Sequence, residues 1–150
     1  MPTAWVVEIV RSSGGWLFDR STAGWDVAVL VGTADVDPLP LQILGASVVT
    51  LDRVAERFLP HRNRPRAFAV ADDLYTRDSR IRHGVRSVLA QGDTEVTVWG
   101  AAPLTASVVH GYLPYCPSVA ARAFKLHALA AAGQRAASAC AIEIYRNRLE

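Results

Sequence analysis

Cysteine is scarce in this chain: Cys116 and Cys140 are the only two in 150 residues, and they form no CxxC pairing. That is too few for a disulfide framework, so two free thiols in a reducing compartment are expected. Lysine is scarcer still, Lys125 standing alone among 16 basic residues. Together with the many alanines, that bias is what a GC-rich coding sequence produces, and it is weak ground for Arg-specific chemistry. The formal net charge is only +2, too small to argue for a nucleic-acid partner by itself. No apolar run reaches the roughly 18 residues a membrane helix needs, so no membrane partner is expected. The opening MPTAWVVEIVRSSGG has no basic n-region, and Glu8 interrupts its apolar stretch. A secretory signal is not expected there, and a cytoplasmic location is.

Motifs of known chemistry are missing too. His61, His83, His110 and His127 stand singly, without HxH, HExxH or His-Cys spacing, so no metal site can be argued. Ser12-Ser13-Gly14-Gly15 is neither GxGxxG nor a Walker loop, and no lysine follows it. Cys116 with His110 as base would lack the third member of a nucleophilic triad.

What is present is a clear β-α-β pattern from Ala67 to Gly100. Ala67 to Ala71 is all apolar, as in a strand buried on both faces. Ile81, Val85, Val88 and Leu89 recur at helical spacing, which predicts a helix over Asp73 to Ala90. Gln91-Gly92-Asp93 stops it, and Glu95 to Trp99 alternates as a strand. A crossover helix between two such strands requires them to be parallel. Trp25 to Val31 is a further strand after Gly24, and Leu41 to Leu44 reads as a short one. Ser47 or Thr50 is expected to cap a helix over Leu51 to Leu59.

The segment before Trp25 reads as a helix broken or kinked at Gly14-Gly15, or as a strand, loop and short helix. The helix is preferred. In that case the glycines can also serve close packing. Pro103 to Pro117 suggests a short helix. Ser118 is expected to cap a long one through Ala132, Gly133 to break it, and Gln134 to Arg148 to form the last. Phe124, Leu126 and Ile144 are expected to be buried there. The alternation predicts one α/β domain: a three-layer sandwich with a small, mostly parallel sheet of about four strands and a helical C-terminal third.

Asp72 and Asp73 follow a buried strand directly, at the edge where open parallel sheets keep their ligand crevices. With Asp26 and Arg77 they form the candidate ligand or metal site, two carboxylates holding a cation near a phosphate and an arginine clamping the anion. The plainer and preferred reading makes Asp73 a helix cap. Arg62, Arg64, Arg66 and Arg80 are candidate anion binders within an arginine-rich window from Arg53 to Arg86. The window also holds acids at helical spacing, Asp73 with Arg77 and Asp78 with Arg82, as on a solvated face. Only Phe58, Phe68 and Tyr75 fall among the nine arginines of this window, and nucleic acid is the least favoured partner.

Three functions are therefore carried forward. The first is a non-catalytic accessory module that binds a protein partner or itself, most simply as a homodimer, since small-residue helices suit close pairing. The second is a small enzyme or binding domain for a nucleotide or phosphorylated metabolite at the strand ends. The third is Arg-mediated nucleic-acid binding. Whether the chain is an enzyme, and which cofactor it takes, the residues leave open.

Overall fold

Strand residues of alternating direction sort the core into two clusters, one on each face of a central sheet. The computed structural model describes residues 2–32, 35–53, 65–90, 92, 94–99, 112–134 and 143–146. The chain starts with helix α1 (Pro2–Thr22), then strand β1 (Asp26–Val31), helix α2 (Leu39–Ile43) and strand β2 (Ser47–Thr50). After a single 3-10 turn, Leu51–Arg53, come β3 (Arg66–Ala71), α3 (Asp72–Arg77), α4 (Ser79–Ala90) and β4 (Thr94–Trp99). Strand β5 (Tyr112–Tyr115), helix α5 (Val119–Ala131) and strand β6 (Glu143–Arg146) follow.

The four-stranded sheet has the order β2-β1-β3-β4 and is parallel throughout. Val27, Val29, Val31, Ala67, Ala69 and Ala71 face α1, α2 and α5. Ala28, Leu30, Phe68, Val70, Val96 and Val98 face Ile81, Val85 and Val88 of α4. This is the expected three-layer α/β sandwich. Burying both faces of a parallel sheet is why its strands read as continuous apolar runs. A full burial of each such side chain contributes roughly 1.5–3 kcal/mol.

Local chemistry accounts for several departures from the sequence reading. Leu41 to Leu44 is not a strand: Leu39 to Ile43 is helical, entered through Pro38 and Pro40, whose fixed φ suits a first turn. Leu41 and Leu44, three apart, are both buried. Gly45, at φ +79°, ends the turn, and Ser47 to Thr50, expected only to supply a cap, is the strand. Its Val48-Val49-Thr50 run is β-branched. The helix expected over Asp73 to Ala90 is two helices that meet at Asp78, which has extended backbone. Helix α1 runs unbroken through Gly14-Gly15.

At the C-terminal end Ser118 caps α5 as expected, its Oγ accepting from Ala121 N–H at 3.0 Å, and Gly133 closes the helix at φ +82°. The helix expected over Gln134 to Arg148 is contradicted at Glu143 to Arg146, which pair antiparallel with Tyr112 to Tyr115. That second pairing also replaces the end of the helix expected over Pro103 to Pro117. Ile144 and Tyr145 are good strand formers, but a partner about 30 residues away is invisible in local pattern. Phe124 and Leu126, expected in the core, are 42% and 38% exposed. Residues 54–64, with most of the expected Leu51 to Leu59 helix, and His110 lie outside the described residues.

Candidate functional site

The order β2-β1-β3-β4 contains a reversal. The chain crosses from β1 to β2 through α2 on one face, and from β3 to β4 through α3 and α4 on the other. Right-handed crossovers leaving in opposite directions must lie on opposite faces. Between β1 and β3 the two connections diverge, and in open sheets this switch point is where ligands bind, outside the carboxyl ends of the strands.

Val31-Gly32 and Ala71-Asp72-Asp73 border that point. A Cβ on Gly32 would lie 3.6 Å from Leu74 Cδ2, so the turn leaving β1 packs beside α3. Ala71, not Asp73, holds the N-cap position of α3, with ψ 140° and no side-chain cap bond. Asp72 and Asp73 are its first two helical residues, where carboxylates favour the positive end of the helix dipole. The capping expected of Asp73 is found one helix later. Asp78 Oδ1 accepts from Arg80 N–H at 2.9 Å and starts α4. The hydrogen bonds from Arg80 hold the Asp78 carboxyl below its usual range.

The other candidates do not converge on this point. Asp26 opens β1 and Arg66 opens β3, register partners on the amino-terminal edge of the sheet. Six-residue strands put that edge about 16 Å from the switch point. Arg66 is buried, its guanidinium over the Phe68 ring, and is no exposed anion binder. Arg77 is exposed at the last position of α3. Arg80 pairs with Asp78, Nη2 to Oδ2 at 3.0 Å. Arg82, expected to pair with Asp78, instead donates to the carbonyls of Tyr75 and Thr76, closing α3. Arg62 and Arg64 lie outside the described residues. Among the described residues no group of three His, Cys, Asp or Glu is placed to hold a metal ion. Cys116 is exposed.

Two clusters escaped the sequence reading. Glu143 is fully buried and accepts from Gly15 N–H at 2.7 Å, Trp16 N–H at 2.8 Å and Lys125 Nζ at 2.7 Å. Lys125 also donates to the Arg11 carbonyl at 2.6 Å. Burial pushes the Glu143 carboxyl up, while Lys125 and the two helix N–H groups oppose it. The second cluster centres on Asp19, which accepts from Tyr115 Oη at 2.6 Å, Ser118 Oγ at 2.6 Å and Ser118 N–H at 2.9 Å. Partial burial works against ionisation of Asp19, but the bonds from Ser118 and Tyr115 outweigh it and hold the carboxyl below its usual range. Burial, then the bonded Asp19 carboxylate, push the Tyr115 phenol up. Beside them Arg20 bonds Glu95 at 2.6 Å and lies against the rings of Trp16, Trp25 and Tyr115. The available signals were a single lysine in an alanine-rich helix and a Gly-Gly pair in mid-helix.

Helix α5 presents a further feature. It packs on α1 and α2 through Ala121, Lys125, Ala128 and Leu129. Val119, Ala120, Ala123, Phe124, Leu126, His127 and Ala130 are exposed. At 3.6 residues per turn these positions span roughly 160° of helix surface, and none is an acid, lysine or arginine. The Phe124 ring stacks on Phe18 with centroids 4.5 Å apart. No protein-family model, curated protein or solved structure matches this chain.

Proposed function

We propose that this chain is a non-catalytic α/β module that works by association, most simply as a two-fold homodimer, through the outward face of α5. The exposed apolar face of that helix carries the reading. A helix at a protein surface ordinarily shows charge to solvent, and a broad apolar face on one is ordinarily covered. Ala123 and His127 lie at the middle of the face, with Ala120 and Ala130 beside them and Phe124 and Leu126 at its flanks. Small residues in the middle let a second helix approach to about 8 Å between axes, the near limit of helix packing. The Phe18 stack fixes Phe124 in place, so little side-chain freedom is lost on contact. A two-fold dimer would set the same patch against itself, with no like charges opposed.

Light scattering tests this across a concentration series into the high micromolar range. A dimer is expected, and Ala123→Glu, which puts a charge in the middle of the face, is expected to return the 16.2 kDa monomer. Monomer mass for the unaltered chain at every concentration would overturn the reading.

A second reading has its own support in the strand reversal at β1 and β3, with Asp72 and Asp73 directly after the carboxyl end of β3. It takes this point as a site for a nucleotide or phosphorylated metabolite, with a divalent cation on the carboxylates. Calorimetric titration with nucleotide and Mg²⁺ decides it: heat that disappears in Asp72→Asn favours a ligand-binding domain, and no heat with the unaltered chain removes it.

A further inference from the structure

Three donors converge on the Glu143 carboxylate, and all belong to the helical layer. Gly15 and Trp16 N–H come from the middle of α1, and the Lys125 ammonium comes from α5. The carboxylate comes from β6, which is hydrogen-bonded to β5 and is no part of the four-stranded sheet. Receiver and received group thus sit on separate elements.

The receiving side has a built shape. A Cβ on Gly15 would lie 3.0 Å from the Glu143 oxygen and 2.4 Å from Pro117 Cγ, so only glycine admits the carboxylate and the chain beside it. A Cβ on Gly14 would meet Lys125 Cγ at 3.4 Å, so the lysine stem lies against the bare helix. Lys125 itself has no exposed side-chain surface, and its contact with the Arg11 carbonyl aims the ammonium.

The receiving groups also have somewhere to go when the carboxylate leaves. In a regular α-helix Gly15 N–H pairs with Arg11 C=O, and Trp16 N–H pairs with Ser12 C=O. Both donors can therefore close onto their own helix, so release of β6 need leave no orphaned amide. Exposure of both charged groups to water offsets part of the loss, because desolvating an ion pair is expensive.

We propose that Gly15, Trp16 and Lys125 form a carboxylate-binding site that the chain fills in cis with Glu143, so that β6 acts as a strap another carboxylate can displace. The site takes one carboxylate, from a small organic acid or from an acidic side chain on a peptide. Two N–H donors and an ammonium match its two oxygens and its charge.

Glu143→Ala in the full chain empties the site. Its thermal midpoint is expected to fall by several degrees, and sodium formate is expected to restore it saturably, where sodium chloride at the same ionic strength does not. A peptide copying residues 141–148 is expected to give the same rescue, and its Glu-to-Ala version none. Rescue by formate alone assigns the site to small acids, and rescue by the peptide alone to acidic segments. Equal response to formate and chloride, with no response to the peptide, would overturn the proposal. Should Glu143→Ala fail to fold, Glu143→Gln keeps the side-chain shape and removes its charge. In that variant the backbone amide resonances of Gly15 and Trp16 are expected to shift saturably on addition of sodium formate and not of sodium chloride. Resonances of residues 15 and 16 that ignore formate would equally overturn it.

Discussion

An alanine at position 15 would gain helix propensity worth about 1 kcal/mol over glycine. Its Cβ would also lie 2.4 and 2.5 Å from Pro117, a contact no relaxation of a single rotamer removes. Overpacking of this kind costs about 1–3 kcal/mol, so Gly15→Ala is expected to destabilise the chain in urea unfolding. Gly14→Ala meets only side-chain atoms at 3.3–3.4 Å and is expected to cost less. Asp19 provides a test in acid. Its carboxyl is held below the ordinary value of 3.8, so its bonds stabilise the fold at neutral pH. That stability is present above the unfolded value and lost as pH falls through the folded one. Asp19→Asn is therefore expected to be less stable near pH 7 by about 1 kcal/mol, given the partial exposure. Its stability should converge with that of the unaltered chain as pH falls below the ordinary value of 3.8 and through the lower folded one, which unfolding curves across pH 2–7 would check.

At the level of elements, the caps carry a separate expectation. Ser118 Oγ accepts from Ala121 N–H while donating to Asp19. Ser118→Ala removes both bonds, with an expected loss of about 0.5–2 kcal/mol by denaturant midpoint. Those elements were unevenly legible beforehand. β1, β3 and β4, the N-cap at Ser118 and the stop at Gly133 could be read because each is set by neighbours in sequence. Strands β5 and β6 could not, because their stability lies in a pairing between residues 112 and 146 that no local window contains. The same limit hid Lys125 and Glu143. Each looked like an ordinary surface charge on a helix until the fold set both against the middle of α1. Asp78 stayed hidden for another reason: a capping carboxylate and one paired at a spacing of four look alike until the backbone is seen to break. Asp26 seemed to belong with Asp72 only while strand direction was ignored. In a parallel sheet the first and last residues of strands stand on opposite edges.

For the whole molecule, the sheet sits between two apolar clusters, and α5 packs on α1 and α2 while giving Ala128 and Leu129 to the cluster they share. Phe68 is fully buried at the centre of the α4 side, and Phe68→Ala is expected to cost about 3–5 kcal/mol in urea unfolding. The outward face of α5 should behave in the opposite way. Ala123→Glu is expected to leave monomer stability within about 0.5 kcal/mol, as surface changes ordinarily do, while altering the association state. Comparing the two variants separates what the fold needs from what its surface offers.

The tie between Gly15 and Glu143 joins positions 128 residues apart. During synthesis the α1 segment leaves the ribosome early, and at roughly 5–20 residues per second Glu143 follows about ten seconds later. Through that interval the α1 segment is without the carboxylate that holds its middle in the folded chain. A nascent chain of this protein must therefore be tolerated, or shielded, in a form whose first segment is already made and whose last tie is not.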